Sequence, residues 1–230
     1  MHFGRVFPLC HKKHAELDAS HWKYKGRFVF GGNNVFDENG FGAVFSEQGT
    51  SASHQTAGKW LDAVARIPGN SGEDADAASA YIQARLEGNT TWIESPPHQR
   101  PKSWDGKFFR PVVQLKLALY GHPLAGLFWE KHCKVALRKC GFEPAPAWEC
   151  MHYHRSKKLS LSIYVDDFKL TGKASSIKPM WIELQKYLKI DPPTSFDGGR
   201  YLGPTQFEVE PNKELSLIHI SEPTRRRGIS

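Results

Sequence analysis

Apolar residues recur along the chain with two different spacings, which predict helices in some segments and strands in others. Helices are predicted where apolar residues or strong helix formers dominate: residues 52–65, 77–86, 124–140 and 176–188. Strands are predicted where polar and apolar residues alternate or short apolar runs occur: residues 27–30, 108–117, 159–165, 168–171 and 199–208. The turn-rich Gly31–Asn34 stretch predicts a hairpin within residues 24–50. This order predicts an α+β domain with a mainly antiparallel sheet.

Composition narrows the class of protein. Of the 230 residues, 40% are hydrophobic and 24% charged, which is typical of a folded globular chain. No apolar run approaches the length of a membrane span, and the first residues lack the apolar stretch of a signal peptide, so we expect no membrane partner. Four cysteines are too few for a disulfide scaffold, which suits a reducing compartment.

The C-terminal residues differ in character from the rest of the chain. Residues 215–230 resemble the translation of a sequencing-library adapter, and we expect them to be an artefactual tail. The tail contributes +2 of the formal net charge of +7, so residues 1–214 retain +5. This mild positive charge agrees with a polyanionic partner but does not by itself identify one.

Two neighbouring aspartates are the sharpest local feature. Asp166 and Asp167 lie between two predicted strands, where aspartate is otherwise depleted, and Asp76 lies at another predicted strand end. An Asp-Asp pair alone is also typical of a plain turn. Together, however, three carboxylates from two strand ends suit a pair of Mg²⁺ ions, which prefer oxygen ligands. Two such ions stabilise the attacking and leaving oxygens of phosphoryl transfer.

Five segments of the chain resemble one protein family in both motif and order. They are Lys23–Gly32 (KYKGRFVFGG), Asp76–Gln83 (DAASAYIQ), Leu119–Trp129 (LYGHPLAGLFW), Tyr164–Gly172 (YVDDFKLTG) and Tyr201–Gly203 (YLG). They are similar to segments of reverse transcriptases from Ty1/copia-type retrotransposons, which read Y-K-A-R-L-V-A-K-G, D-V-K-T-A-F-L-N, L-Y-G-L-K-Q-A-P-R-A-W, L-Y-V-D-D-x-x-[IL]-T-G and F-L-G. The resemblance covers roughly residues 23–203.

The resemblance implies a fold and a domain organisation. The expected fold is the palm and fingers of a right-hand polymerase, with the thumb missing or incomplete. The expected divisions are a poorly defined N-terminal segment (1–22), fingers (about 23–70 and 95–118), palm (about 71–94 and 119–214) and the tail (215–230). The parent protein would be a Pol polyprotein, in the cytoplasm within a virus-like particle or in the nucleus, although no targeting signal is present.

The resemblance also implies a role for each matched residue. Asp76 and Asp166 would hold two Mg²⁺ ions, with Mn²⁺ as an alternative, and Asp167 would complete the acidic cluster. Tyr81 would be a steric gate that disfavours a 2′-hydroxyl. The remaining expected contacts are to the triphosphate of a deoxynucleoside triphosphate (Lys25, Arg27), to the nucleotide and template (Tyr120, Gly121) and to the primer (Tyr164, Val165). The partners would be a primed RNA or DNA template and deoxynucleoside triphosphates.

The chain departs from the family pattern between His122 and Leu127, where two basic residues and an amide are replaced. Because of this departure and the absent thumb, we expect the 230-residue chain itself to be inactive or weak. The alternative function is that of a degenerate, non-catalytic nucleic-acid-binding remnant of a transposon. Retention of Asp76, Tyr81, Asp166 and Asp167 opposes that alternative.

Histidine and cysteine clusters raise a separate hypothesis of zinc binding. Cys10 and His11 lie near His14, and Cys150 lies near His152 and His154. Neither cluster has paired C-x2-C spacing, so ordinary strand and loop histidines are the simpler interpretation.

Overall fold

The computed structural model describes residues 1–45, 55–146 and 148–196. Its helices are α1 (Gln55–Ala65), α2 (Ala125–Lys139) and α3 (Ala174–Leu184). Its strands are β1 (His2–Lys13), β2 (Lys23–Phe30), β3 (Phe36–Asp37), β4 (Asn70–Asp76), β5 (Thr91–Glu94), β6 (Val112–Gln114), β7 (Glu143–Pro144), β8 (Met151–His154), β9 (Leu159–Tyr164), β10 (Asp167–Lys173) and β11 (Thr194–Ser195). In these ranges, no helix combines the length and apolar character needed to cross a membrane.

A six-stranded antiparallel sheet forms the larger layer, in the order β11-β4-β10-β9-β8-β7. Side chains alternate between its faces because successive strand residues point in opposite directions. Phe168 and Leu170 lie on one face, in the main apolar core that α2 and α3 cover. Lys169 lies on the other face, where it contacts Asp62 of α1. The sheet is therefore covered on both faces, and the mainly antiparallel α+β fold is confirmed.

A second sheet has the order β2-β1-β5-β6, with β3 also pairing with β1. Its only parallel pair among the described residues is β1 with β5. The expectation of a poorly defined segment over residues 1–22 is wrong, because residues 2–13 form the central strand of this sheet. The predicted hairpin is also corrected: Arg27–Phe30 is a strand, but its partner is the preceding β1 rather than a strand that follows.

Other predicted elements differ from the structure in extent. The helices over residues 124–140 and 176–188 are confirmed as α2 and α3 with shifted ends, and α1 ends at Ala65 as predicted. The helix over residues 77–86 is wrong: only Ala80–Gln83 forms a 3-10 turn. The residues after this turn form hydrogen bonds with a distant segment instead. The Ala84 carbonyl accepts from the Ala118 N–H, and the Leu86 N–H donates to the Lys116 carbonyl.

The strand predicted over residues 108–117 is confirmed only as β6. Pro111, just before β6, has no N–H to donate to a strand ladder, which helps to explain the late start. The strand predicted over residues 199–208 lies outside the described residues, as do the Tyr201–Gly203 segment and the tail.

The segment before α2 packs closely against the end of β2 at Gly121. The Phe30 N–H donates to the carbonyl of Tyr120 at 2.7 Å, which joins the end of β2 to the segment that leads into α2. Gly121 has φ of +86°, and a Cβ atom there would lie 2.2 Å from the Phe30 carbonyl oxygen. Only glycine fits both the backbone angle and the space.

We therefore expect Gly121→Ala to reduce the free energy of unfolding by about 3 kcal/mol, since backbone strain and overlap add. Gly40→Ala is the matched control, because Gly40 has φ of +84° but open space around it. Its expected loss is about 1 kcal/mol. Urea denaturation measures both, and equal losses would contradict the close approach of Gly121 to β2.

Candidate active site

The acidic motif forms a tight hairpin turn between β9 and β10. Tyr164 pairs with Asp167, so Val165 and Asp166 are the two turn residues. Val165 has φ of +54°, which two-residue hairpin turns favour but a β-branched residue rarely adopts. The buried Trp129 of α2 donates from Nε1 to the Val165 carbonyl at 2.5 Å. The strained turn is therefore held from the helix below it.

Asp76 is brought to this turn by strand pairing. It ends β4 directly opposite Asp167 of β10, and the next residue, Ala77, donates its N–H to the Asp166 carbonyl at 2.7 Å. Burial, the charges of Asp166 and Asp76 and a hydrogen bond with Asp76 raise the pKa of Asp167 to about 6. The three aspartates predicted from the sequence thus lie next to one another at one end of the sheet.

The donor chemistry of this cluster suits divalent cations. Burial is the first cause of the raised pKa of Asp167, and the negative charges of Asp166, Asp76 and Asp74 raise it further. Hard cations such as Mg²⁺ bind carboxylate oxygens and would relieve this repulsion. Across residues 1–45, 55–146 and 148–196, no group of three or more acidic, histidine or cysteine side chains is arranged so that it could hold a metal ion. The three aspartates therefore suit a divalent cation in the type of ligand that they offer and in their closeness to one another.

Two tyrosines form a wall beside the carboxylates. The rings of Tyr81 and Tyr120 meet edge to face with centroids 4.6 Å apart. Burial raises the pKa of Tyr81, with smaller contributions from Tyr120 and from the charges of Asp166 and Tyr164. Burial and the Asp166 charge also raise the pKa of Tyr120. Both rings therefore lie within electrostatic reach of Asp166.

Arg27 extends this wall with a positive charge. Its guanidinium lies 5.1 Å from the centre of the Tyr120 ring, within the range of a cation–π interaction. Lys25 is two residues away on the same strand and shares this face of β2. The structure therefore brings Arg27 to the tyrosine wall directly, while Lys25 lies about 7 Å farther along the strand.

The remaining predicted site residues lie in different surroundings. Tyr164 is 38% exposed at the end of β9, beside the turn. Gly121 packs against the backbone of β2, which gives it a structural role in joining β2 to the segment that leads into α2. The Val165 carbonyl is occupied by Trp129.

A second pair of charged residues lies next to the pair formed by Asp76 and Asp167 and was not identified from the sequence. Lys169 of β10 pairs in register with Asp74 of β4, two residues from Asp167 and Asp76. Its ammonium lies 2.8 Å from Asp62 Oδ1 and 3.6 Å from Asp74 Oδ1. A lysine at an inward-facing position of an alternating strand could have indicated a buried charge. Its partner Asp62, however, lies on α1, and only the tertiary structure brings α1 to this strand.

The departure from the family pattern at His122 has a structural basis. His122 is buried, and its ring packs against Phe30 and Phe45. Its Nδ1 accepts the Leu124 N–H at 3.1 Å. Burial and the nearby His2 lower the pKa of His122 to about 4, which keeps the ring neutral near pH 7. His122 therefore stabilises the start of α2 through packing.

The candidate zinc ligands occupy ordinary strand and core positions. Cys10 is exposed on β1, while Cys150 is buried beside α1. Burial lowers the pKa of His152 to about 4, and His154 packs edge to face against Phe142.

The fold and site together define a class: an α+β protein with an acidic centre at a hairpin turn and an aromatic wall beside it. A model of the reverse transcriptase (RNA-dependent DNA polymerase) family matches residues 6–203. The chain belongs to this family, whose chemistry is nucleotidyl transfer and whose members generally use divalent metal ions. A comparison with curated proteins gives no match.

Crowding of the carboxylates predicts a pH-dependent stability. A carboxyl whose pKa is raised on folding binds its proton more tightly in the folded chain, so stability falls as the pH rises from about 4 to about 6. We expect Asp167→Asn to raise Tm by about 3 °C near pH 7 without divalent cations, and to leave it almost unchanged near pH 4. Calorimetry in EDTA measures this difference, with the exposed Asp105→Asn as control. Equal shifts at both pH values would contradict the assigned repulsion.

Proposed function

We propose that the chain carries the polymerase active site of a Ty1/copia-type retrotransposon and extends a primer on an RNA template by two-metal nucleotidyl transfer. The observation that carries this proposal is the pairing of Asp76 with Asp167 beside Asp166, with the Tyr81 and Tyr120 rings next to them. A hairpin turn alone would not require acidic residues from two strands to meet, or an aromatic wall beside them.

In the proposed reaction, the primer 3′-oxygen attacks the α-phosphorus of a deoxynucleoside triphosphate. The new O–P bond forms as the bond to the pyrophosphate oxygen breaks, and the 3′-hydroxyl proton leaves to solvent. Asp76 and Asp166 would hold Mg²⁺ or Mn²⁺, and Asp167 would complete the cluster. When bound, these ions supply positive charge to the attacking and leaving oxygens. Arg27, with Lys25 beyond it, would bind the triphosphate, because a guanidinium matches phosphate geometry.

Tyr81 would contact the sugar of the incoming nucleotide, with Tyr120 and Gly121 at the base and template. Tyr164 and Val165 would support the primer end. In this proposal the fingers are about residues 23–70 and 95–118. The palm is about residues 71–94 and 119–214, which include most of the six-stranded sheet together with α2 and α3. The parent protein would be a Pol polyprotein acting in the cytoplasm or nucleus.

The non-catalytic alternative is not favoured. A remnant that only binds nucleic acid needs basic surface but no acidic cluster, since carboxylates repel phosphates. The clustered Asp76, Asp166 and Asp167 would weaken such binding unless they hold cations.

A single-turnover assay tests the proposal. The chain, in excess over an RNA template annealed to a DNA primer, is incubated with Mg²⁺ and deoxynucleoside triphosphates. We expect weak extension by a few nucleotides, because duplex contacts from a thumb are absent from the described residues. Extension should disappear in EDTA. Binding of the duplex without any extension above the EDTA control would instead support the non-catalytic remnant.

A further inference from the structure

Lys169 is a fully buried charge directly below the acidic cluster. Its side chain has 0% relative exposure, although lysine is rarely buried without a partner. It lies on the same sheet face as Asp167, two residues along β10, and opposite Asp74, which is two residues before Asp76 on β4. The row formed by Lys169 and Asp74 is therefore the immediate neighbour of the row formed by Asp167 and Asp76.

Groups from three other parts of the chain enclose the Lys169 ammonium. Asp62 from α1 lies at 2.8 Å, Asp74 from β4 at 3.6 Å, and the Phe196 ring, just after β11, at 3.7 Å from its centre. Phe196 also covers Gly72, where a Cβ atom would lie 2.2 Å from the ring. The Lys169 ammonium thus connects β4 and β10 to α1 and to the segment at Phe196, which cover this face of the sheet.

The charge at this position specifies the register of β4 against β10. A shift of one residue would move every side chain of β10 to the opposite face. Lys169 would then enter the apolar core that α2 and α3 cover, away from both carboxylates. Because a buried unpaired ammonium is strongly unfavourable, that register is disfavoured. The register that pairs Lys169 with Asp74 is the one that places Asp167 opposite Asp76.

We propose that Lys169 is a positioning residue that fixes the register of β4 and β10 and thereby holds Asp76 and Asp167 together for metal binding. This inference rests on the proposed function of the acidic cluster. In this role Lys169 acts through Asp62 and Asp74, which fix the strand pairing, and not by binding the metal or the substrate.

The first test is Mn²⁺ affinity, measured by electron paramagnetic resonance on the purified chain. Lys169→Met removes a positive charge near the carboxylates, so charge alone would strengthen cation binding. If Lys169 positions the carboxylates, the opposite is expected: the dissociation constant for Mn²⁺ rises by roughly tenfold, as when a metal site loses a residue that orients its ligands. Lys169→Arg keeps the positive charge, so its dissociation constant for Mn²⁺ should be closer to that of the wild-type chain than the value for Lys169→Met.

A charge-matched variant guards against misfolding of Lys169→Met. The double variant K169M/D62N removes one positive and one negative charge, so the local net charge is unchanged. Compared with Lys169→Met, it also leaves one carboxylate fewer without a cationic partner. We again expect weaker Mn²⁺ binding, together with a lower kcat and a nearly unchanged KM for the deoxynucleotide. Circular dichroism and Tm confirm folding of each variant.

The outcomes separate this inference from the proposed function. A folded K169M or K169M/D62N chain that binds Mn²⁺ as tightly as wild type overturns the role of Lys169, even if the wild-type chain extends primers. Weaker Mn²⁺ binding in both variants supports it. A wild-type chain that binds the primed template but extends no primer overturns the polymerase proposal, and the Mn²⁺ comparison still decides whether Lys169 positions the carboxylates.

Discussion

Replacing Asp166 or Asp76 with Asn is expected to reduce nucleotide incorporation by at least about 10³-fold, the scale of removing one essential electrostatic group from an active site. Asp166 lies in the hairpin turn and Asp76 lies beside it at the end of β4, where the adjacent Ala77 donates its N–H to the Asp166 carbonyl. Asn keeps nearly the same shape but removes the negative charge that a divalent cation requires. Single-turnover incorporation with Mg²⁺ measures the loss.

The control for these substitutions is Asp105→Asn, at an exposed loop position. It removes the same charge from the chain without changing the acidic cluster, so its incorporation rate should equal that of wild type. Thermal melting of each variant separates loss of chemistry from loss of folding. Wild-type rates in Asp166→Asn would contradict its assignment as a metal ligand.

The second large effect is expected at Tyr81. We expect Tyr81→Ala to raise the efficiency of ribonucleotide incorporation relative to deoxynucleotide incorporation by roughly 10²-fold, the range that a steric change in a pocket produces. The Tyr81 ring is fixed against Tyr120 at 4.6 Å, so it cannot easily move away from an added 2′-hydroxyl. The measurement is kcat/KM for matched ribo- and deoxynucleoside triphosphates.

Two variants on the same 3-10 turn control for this effect. Ile82→Ala changes the neighbouring exposed residue and should leave sugar discrimination unchanged. Tyr81→Phe keeps the ring and should also retain discrimination, because the proposed gate is steric. Equal discrimination in Tyr81→Ala and Ile82→Ala would contradict the gate.

The elements next to the site were the most predictable from the sequence. β9, β10 and α2 have clear two- or three-to-four-residue periodicity, and each forms near its predicted bounds. The proximity of Asp76 to Asp166 and Asp167 was also predicted, from their positions at predicted strand ends and from the family resemblance. The residues meet because β4 pairs with β10 in the register that sets Asp76 opposite Asp167.

Elements that depend on distant partners were missed or misjudged. β1 contains Gly4 and Pro8, which disfavour strands, yet it forms because β2 and β5 supply hydrogen bonds along its edges. The predicted helix over residues 77–86 instead bonds to residues 116–118, so tertiary pairing outweighed helix propensity. The enclosure of Lys169 required α1 and Phe196, whose positions no local pattern specifies.

The most direct test of the central claim is the identity of the nucleotide that the chain adds to a primer on RNA. Four RNA templates that differ only in the first unpaired base are each supplied with Mg²⁺ and all four deoxynucleoside triphosphates under single-turnover conditions. The account predicts that the wild-type chain adds the complementary nucleotide in each case and that Asp166→Asn adds none. Addition that ignores the template base, or equal addition by Asp166→Asn, would contradict it.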